Sequence, residues 1–351
     1  MTVVPPTGPF NAPLVLVGRD PGWQEVAKGE PFVGEAGRIL DAALADAHVD
    51  RAAVCVTNVV GRRPGHDEWA NHTPDDIADG AARLLGLLSR APRQCIVGLG
   101  GQAFYACATG RAPPQSEREL ARLLVKEFGG NITELRGYIW DGPFGPVLAA
   151  VHPAFVLRTW LPWRACLTWD LQKAARWAAG FQRQERVARY SESMAQAAAI
   201  VAELRTAPIL AVDSEEPPDA CVAFAATPEN GVALQWPAHA EAIAELLAAP
   251  MSKVLQNAQY DLTKFKRYGL TVNGEIHDLM LLWHATEPLI AGRSSGGAKR
   301  SEKSLRFLAS VFTDEPWYKD YAFQSGEEKY ILCAKDARVT LEVWQRLLLR
   351  H

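Results

Sequence analysis

The chain is 351 residues long, with 48% hydrophobic residues, 22% charged residues and a formal net charge of −3. This is the composition of an ordinary soluble globular protein with room for two domains, and the mild negative charge gives no global sign of a nucleic-acid binder, so any such site rests on local basic patches. The sequence has neither a membrane-length apolar stretch nor a signal-peptide pattern, which predicts a cytoplasmic protein without a membrane partner.

Short apolar runs alternate with amphipathic helical patterns between residues 13 and 180. Thr73 is expected to cap the second helix, ahead of Pro74. The alternation predicts an α/β layer structure with a largely parallel sheet. Strands are predicted at 13–17, 53–59, 95–99 and 147–151, and helices at 37–46 and 75–88.

A polar stretch at 182–193 separates this region from a second α/β region. We predict a first domain at 1–185, a linker helix within 186–204 and a second domain at 205–351. The segment 291–300 is predicted to be a flexible basic loop. Strands are predicted at 209–212, 220–225 and 231–236, and helices at about 237–248, 258–268, 278–287, 303–312 and 327–349.

Four acidic residues in the second region stand at a strand end or on helix faces. Asp213 and Glu215 end a predicted strand at i and i+2, and therefore point to the same side of it. Asp261 follows Asn257 by four residues on one helix face, and Asp336 lies among apolar neighbours at helical spacing. Two Mg²⁺ or Mn²⁺ ions would neutralise these carboxylates and support phosphodiester hydrolysis. Taken singly, each acid also fits a cap or a surface residue.

The second region resembles the 3′–5′ proofreading exonuclease domain of family A DNA polymerases, one of the DEDD exonucleases. The matching pieces are AVDSEE, VLQNAQYDLTKFKRYGL, HDLML, SLRFLA and CAKDARVTLEVW. The resemblance implies a ribonuclease H-like fold with a mixed sheet, a two-metal site and a substrate-positioning role for Asn257. Leu332 stands where the family usually has a tyrosine, and Tyr330 lies about 240° round the helix from the last acid. The metal ligands implied are Asp213, Glu215, Asp261 and Asp336.

Basic side chains follow the second acidic motif. Lys264, Lys266 and Arg267 fit either a solvated helix face or a site that holds the phosphates of a single-stranded 3′ end.

Loops after the strands of the first region carry a second set of candidates, because open α/β sheets place ligands at the ends of their strands. The stretch 17–37 has too many glycines and prolines to predict a helix. Phe32 offers a stacking plane, Asn58 an amide that can read a pyrimidine edge, and His152 a donor for charge on a base oxygen. Asp20 could orient water or stabilise a sugar cation. Singly, each also fits a core or loop residue.

The first region resembles the uracil-DNA glycosylase superfamily, particularly its family 4 and family 5 branch. The matching pieces are PGWQEVAKGEPFVGEAGRIL, VTNVVGRRP and VLAAVHPAFVLR. The resemblance implies a three-layer α/β/α fold and a base pocket that also includes Arg158. Arg19 replaces the glutamate of family 4, and it could instead bind a phosphate. Asp20 coincides with an aspartate of the first uracil-glycosylase family.

The cysteines argue against a bound cluster. All six are scattered, without a CxxC pair, so the sequence predicts no disulfide framework and no zinc site. Family 4 enzymes bind an iron–sulfur cluster through four cysteines, whereas none precedes Pro13 or lies within 75–88 here. We therefore expect no iron–sulfur cluster.

The order of the two regions resembles the N-terminal part of certain bacteriophage family A DNA polymerases. The sequence predicts a proofreading 3′–5′ DNA exonuclease joined to a glycosylase-like DNA-binding domain. Its expected partners are DNA and a polymerase domain or subunit, in a bacterial host cell if the chain is phage-encoded. The chain is expected to be either a fragment of such a polymerase or a stand-alone nuclease. The alternatives are an active glycosylase for uracil or a modified base, and a catalytically degenerate binding module.

Overall fold

The computed structural model describes residues 2–159, 162–291, 302–317 and 325–349. It is a mixed α/β protein with two sheets, as expected, and it divides into two compact units. The first is Met1–Gln182 with Asp314–Tyr318, and the second is Arg183–Thr313 with Lys319–His351. Within the described ranges, no helix has the length and apolar character needed to cross a membrane.

The first unit contains a five-stranded sheet in the order β2-β1-β3-β5-β4. All neighbouring strands are parallel except β4 and β5. Its elements are β1 (Leu14–Gly18), α1 (Trp23–Lys28), α2 (Glu35–Asp46), β2 (Cys55–Asn58), α3 (Pro74–Leu88), β3 (Cys95–Leu99), α4 (Gly101–Thr109), α5 (Glu117–Phe128), α6 (Ile132–Leu135), β4 (Ile139–Gly142), β5 (Gly145–Ala150), α7 (Pro153–Thr159) and α8 (Trp163–Ala178).

The central strands of this sheet are buried on both faces, as their continuous apolar sequences predict. Val15 and Val17 pack with α3, α4 and α5 on one face. Leu14 and Leu16 alternate onto the other face, where α8 contacts β1, β3 and β5 and also packs against α2. The three-layer arrangement predicted for the first region is thus present.

The start of α3 confirms the capping expected at Thr73. The Thr73 hydroxyl accepts from the Asp76 backbone N–H, and the Asp76 carboxylate accepts from the Thr73 backbone N–H. Pro74 occupies the first helical turn, where its missing N–H is not needed.

The stretch 17–37 differs from its sequence-based prediction because it contains the short helix α1. Gly22 begins this helix, and Gly29 ends it in the left-handed conformation with φ 72°. The buried Glu25 carboxylate then accepts a 2.9 Å bond from the Gly34 backbone N–H. The glycines that argue against a long helix therefore bound a short one.

The second unit contains a six-stranded mixed sheet in the order β11-β10-β7-β8-β9-β6. Strand β8 is antiparallel to β7 and β9, and the other pairs are parallel. Its elements are β6 (Val187–Tyr190), α9 (Met194–Leu204), β7 (Ile209–Glu215), β8 (Cys221–Thr227), β9 (Asn230–Gln235), α10 (Ala240–Ala248), β10 (Ser252–Leu255), α11 (Ala258–Arg267), β11 (Ile276–Asp278), α12 (Leu279–Thr286), α13 (Pro288–Ala291), α14 (Leu305–Phe312) and α15 (Gly326–Leu348).

The predicted linker at 186–204 is instead an integral part of the second unit. Strand β6 pairs with β9, with Val187 opposite Asn230. Helix α9 buries Ile200 and Leu204 in the core beneath the sheet. Its apolar face is therefore a packing surface rather than a connecting segment. Most of the predicted basic loop, residues 292–300, lies outside the described residues.

A segment after α14 belongs to the first unit, although the sequence places it in the second region. Arg176 on α8 donates to both carboxylate oxygens of Asp314 at 3.0 and 3.2 Å, and the Trp177 indole N–H donates to Oδ1 at 3.2 Å. Trp317 packs edge-on against Tyr138, with ring centroids 5.0 Å apart. The first unit is thus completed by residues from far along the chain.

Candidate functional site

A cavity of about 840 Å³ opens in the first unit at the carboxyl ends of the parallel strands. This is where open α/β sheets bind their ligands, because loops diverge there and backbone groups are free. The structure brings to this cavity all six residues predicted for the base pocket: Arg19, Asp20, Phe32, Asn58, His152 and Arg158.

The floor of the cavity depends on a glycine at the end of β1. Gly18 lies opposite Asn58 in the parallel pairing of β1 and β2. A Cβ atom at Gly18 would lie 2.4 Å from the Asn58 Oδ1 atom and 2.5 Å from the Phe32 Cζ atom. The missing side chain therefore makes room for the buried amide and the aromatic ring to meet in the cavity.

Phe32 is held with its ring facing His152. Its backbone has φ 56°. A Cβ atom at Gly37 would lie only 1.9 Å from the Phe32 carbonyl oxygen. The two rings are 5.6 Å apart between centroids and tilted by 32°. Phe32 is 5% exposed, so the ring is a fixed wall of the cavity rather than a mobile surface group.

His152 is held as a neutral imidazole with a defined tautomer. Its pKa is lowered to about 4, chiefly by burial, with the Arg19 guanidinium acting in the same direction and Asp20 opposing them. The ring Nδ1 accepts a 3.1 Å bond from the Ala154 backbone N–H, so the proton lies on Nε2. At neutral pH, His152 therefore offers an N–H donor without a positive charge.

The Asp20 carboxylate is fixed from one side. Its Oδ2 atom accepts from the Arg19 Nε atom at 3.0 Å and lies 3.2 Å from the His72 Nε2 atom. Only 7% of the Asp20 side chain is exposed. His72 was missed at the sequence level, because its position before the helix cap of α3 gives no sign of this contact across 52 residues.

The two arginines of the cavity differ in their freedom. Arg19 also donates to the Asp67 carbonyl oxygen at 3.0 Å and lies 3.9 Å from a Glu117 carboxylate oxygen. Arg158 is exposed on α7. Both also line an adjoining groove of about 790 Å³. Arg19 is thus part of a polar network, while Arg158 is an exposed side chain that lines both the cavity and the groove.

A large aromatic side chain at the rim was also missed at the sequence level. Trp23 begins α1, lines the cavity and is 62% exposed. Exposed indole rings are suited to stacking on nucleobases.

Three of the four acids of the second unit belong to one face of the sheet. Asp213 and Glu215 alternate with Ser214 along β7, and their partners on β8 pack beneath α15. The pKa of the Cys333 thiol on α15 is raised, mainly by burial, and the negative charges of both carboxylates raise it further. Asp336 is buried one helical turn after Cys333.

Asp261 is held on the opposite side of β7. The Ser214 hydroxyl donates to its Oδ1 atom, and the Lys264 Nζ atom lies 4.0 Å from the same oxygen. Burial raises the pKa of Asp261, with Ser214 and Lys264 acting in the opposite direction. In the described ranges, no three His, Cys, Asp or Glu side chains form a group that could hold a metal ion. As placed, the four acids do not fit the predicted two-metal site.

The residues predicted to bind the 3′ end are placed differently from one another. Asn257 is exposed at the start of α11 with φ 61°, and its backbone N–H donates to Asp278 at 3.2 Å. Lys266 and Arg267 are exposed, whereas Lys264 is buried and donates to the Ser214 carbonyl oxygen at 3.0 Å. The interpretation of Lys264 as a surface phosphate ligand is therefore corrected: it is an internal cation beside Asp261.

The position of the missing tyrosine is taken by Leu332, which is partly buried on α15. Tyr330 packs against Tyr190 of β6, with ring centroids 5.5 Å apart. Burial is the main cause of its raised pKa. Its ring thus contributes to packing between α15 and the sheet edge.

All six cysteines are buried free thiols. Burial raises the pKa of Cys95 to about 12 and also raises that of Cys107. Thiols of this kind behave as small apolar side chains, since the thiolate is the form that binds metals.

Comparison with known proteins identifies the first unit. A family model described as the Uracil DNA glycosylase superfamily matches residues 5–177. The type-4 uracil-DNA glycosylase of Archaeoglobus fulgidus is 32% identical over 158 residues, covering 44% of this chain and 71% of the relative. That of Pyrobaculum aerophilum is 42% identical over 160 residues, covering 44% and 73%. The chain belongs to the uracil-DNA glycosylase superfamily.

The superfamily match lies within the first unit and includes every one of the six cavity residues. The prediction of a glycosylase-superfamily fold for this region is confirmed. Among solved structures, the catalytic core of RRP6 from Trypanosoma brucei is 18% identical, with a TM-score of 0.36. The match covers 48% of this chain and 50% of that chain, about half its length.

Proposed function

We propose that the first unit is a DNA glycosylase that takes uracil, or a base of similar shape, into its cavity. The observation that carries this proposal is the neutral His152 imidazole, which shares one cavity with the buried Asn58 amide and the Phe32 ring. Membership of the superfamily supports it. An amide and an N–H donor in a partly apolar cavity suit the edge of a pyrimidine turned out of the DNA stack.

The proposed reaction is hydrolysis of the bond between the base and C1′ of the sugar. The electron pair of that bond goes to the base, and negative charge develops on a carbonyl oxygen of the base as the bond breaks. The His152 Nε2–H donates to that oxygen, which stabilises the leaving base without first transferring a proton. Water adds to C1′, and the proton that it loses neutralises the departing base anion, while the Asp20 carboxylate orients the water or stabilises the positive charge on the sugar.

Recognition of the base is divided among the other cavity residues. Phe32 stacks on the base plane, and the Asn58 amide pairs with its edge. Arg158 at the rim binds a phosphate next to the turned-out nucleotide, and Trp23 stacks on a neighbouring base. These rim side chains therefore favour single-stranded or locally opened DNA as the substrate.

The test is incubation of the full chain with uracil-containing oligonucleotides, followed by alkali, which cleaves the strand at each abasic site. We expect cleavage at uracil with the wild type and at least a hundredfold less with Asn58→Ala, because a lost base contact leaves buried polar groups unpaired. The control is Gly86→Ala, on the exposed side of α3, where an added Cβ meets no atom within 4 Å. Equal cleavage by the wild type and Asn58→Ala would contradict the proposal.

As a second candidate function, we propose a 3′–5′ DNA exonuclease in the second unit. The observation that favours it is the placement of Asp213, Glu215 and Asp336 on the α15 side of one sheet. The exposed Asn257 and Arg267 supply groups that can contact a 3′ end. The role proposed for this activity is proofreading beside a DNA polymerase, in a bacteriophage or its host.

An assay on 3′-labelled single strands, run with and without added Mg²⁺ or Mn²⁺, tests the second candidate. We expect stepwise loss of 3′ nucleotides with the wild type and none with the Asp213→Ala/Glu215→Ala double variant. Equal activity in both would exclude these acids as the catalytic group. Absence of both nuclease and glycosylase activity would favour the remaining alternative, a DNA- or polymerase-binding protein with degenerate sites.

A further inference from the structure

His72 is a buried histidine whose ring is aimed at the Asp20 carboxylate from outside the cavity. The His72 Nε2 atom lies 3.2 Å from Asp20 Oδ2, and the His72 side chain is 2% exposed. His72 does not line the cavity itself. Because an ionised carboxylate can only accept hydrogen bonds, the shared proton lies on Nε2 of His72.

The His72 ring and backbone are held by neighbouring side chains. Trp69 packs edge-on against it, with ring centroids 5.1 Å apart. The Trp69 indole N–H in turn donates to the Pro114 carbonyl oxygen at 2.9 Å. The His72 carbonyl oxygen accepts from the Gln115 side-chain amide at 2.8 Å. These contacts fix both the backbone and the ring plane, so Nε2 has one direction available.

Both hydrogen bonds that Asp20 accepts from described residues end on the same oxygen. Arg19 Nε and His72 Nε2 approach Oδ2, while Asp20 itself lines the cavity. Two donors on one oxygen restrict rotation of the carboxylate about its Cβ–Cγ bond. The second oxygen, Oδ1, accepts no hydrogen bond from the described residues.

We propose that His72 is a positioning residue for glycosidic bond hydrolysis, and that it acts by holding Asp20 with Oδ1 toward the sugar of the bound nucleotide. This inference rests on the proposed glycosylase function of the cavity. Arg19 alone would leave the carboxylate free to turn with the guanidinium, whose side chain is 26% exposed. His72 supplies the rigid second contact.

The test compares single-turnover uracil release and uracil-DNA binding by the full chain for His72→Leu, His72→Gln, Asp20→Asn and the double variant His72→Leu/Asp20→Asn. His72→Leu should slow release about ten- to a hundredfold, the effect of one lost charge-assisted hydrogen bond, with the dissociation constant for uracil-DNA unchanged. His72→Gln retains an N–H donor and should stay within about threefold of the wild-type rate. The double variant should be no slower than Asp20→Asn alone, because His72 acts through Asp20.

Each result bears on one part of the inference. Wild-type release by His72→Leu, or effects of His72→Leu and Asp20→Asn that multiply in the double variant, overturns the positioning role while leaving the glycosylase proposal intact. If His72→Leu does not fold by circular dichroism, His72→Gln decides: a rate as low as that of Asp20→Asn overturns the role. No release by the wild type overturns the proposed function, and the role of His72 with it.

Discussion

His152 shows that its surroundings, rather than its residue type, set its chemical state. A histidine in water has a pKa of about 6.5 and is partly charged near neutral pH. Burial and the nearby Arg19 guanidinium bring the pKa of His152 to about 4, and the Ala154 N–H selects the tautomer. The side chain therefore keeps a proton on Nε2 over the whole physiological range of pH, which is what donation to a developing base anion requires.

The same shift predicts how stability depends on pH. Between pH 6.5 and 4 the unfolded chain binds a proton at His152 that the folded chain does not, so the free energy of unfolding falls as the pH falls. At pH 4.5 this loss amounts to about 2.5 kcal/mol relative to pH 7.5. His152→Asn, whose amide oxygen can still accept from Ala154, should lack that component.

Urea unfolding of the wild type and of His152→Asn at pH 7.5 and 4.5 measures this difference. The change in unfolding free energy between the two pH values should be smaller in the variant by about 2.5 kcal/mol. An identical change in both proteins would show that His152 titrates normally in the folded state.

At the scale of elements, the loop from β1 to α2 depends on glycines that permit close approach. Gly37 lies within α2, and a Cβ there would come within 1.9 Å of the Phe32 carbonyl oxygen, which is backbone and cannot rotate away. This contact couples the first turn of α2 to the conformation of Phe32. Helix α2 thus helps to fix Phe32, the aromatic wall of the cavity, although Phe32 lies before the helix.

Two glycine substitutions in helices separate this contact from helix propensity. Gly37→Ala should lower the free energy of unfolding by about 2 kcal/mol or more, because the backbone at Phe32 must move. Gly86→Ala in α3, with no atom within 4 Å of the added Cβ, should raise it by about 0.5–1 kcal/mol through helix propensity alone. Chemical denaturation of both variants checks the pair, and equal effects would contradict this account of Gly37.

The elements also show what periodicity could and could not predict. Strand–helix alternation located the parallel strands β1 to β3 and the capped helix α3, since burial and capping are local signals. Strand β6 was missed because its four residues alternate weakly, and only its pairing with β9 makes it a strand. The helix predicted within 186–204 is present as α9, but its packing beneath the sheet depends on context that the local sequence does not hold.

The candidate sites were predictable to different degrees. The six cavity residues lie at the ends of strands or in the loops and helix that follow them, which a parallel sheet brings to one edge, so their meeting follows from topology. Asp261 on α11 lies near the face of β7 that carries Ser214, as their hydrogen bond shows. The spacing of these residues along the chain does not predict that contact. For the same reason His72 could not be paired with Asp20 from the sequence.

At the scale of the whole molecule, the two compact units do not follow a single cut in the sequence. The segment that includes Asp314 and Trp317 belongs to the first unit, although it follows most of the second unit in the sequence. Covalent order and structural membership therefore differ at this point. The isolated first region would lack the aromatic cover of Tyr138.

A tryptophan pair tests the contribution of this late segment. Trp317→Ala should lower the stability of the first unit by about 2 kcal/mol, because a partly buried indole is removed from its packing against Tyr138. Trp23→Ala, which removes an indole that is 62% exposed, should change stability by less than about 0.5 kcal/mol. Hydrogen exchange of the amides in β4 reads out the first unit, and unchanged exchange in Trp317→Ala would contradict the expectation.

The central claim is that the cavity at the carboxyl edge of the first sheet receives a base from DNA and releases it. The most direct measurement is the rate of free uracil release from uracil-containing single-stranded DNA by the wild type, Gly18→Ala and Gly86→Ala. A methyl group at Gly18 would come within 2.5 Å of both Asn58 and Phe32, whereas one at Gly86 meets nothing. We predict release by the wild type and by Gly86→Ala, and at least a hundredfold slower release by Gly18→Ala. Absence of release by the wild type, or equal rates for all three folded proteins, would contradict the account.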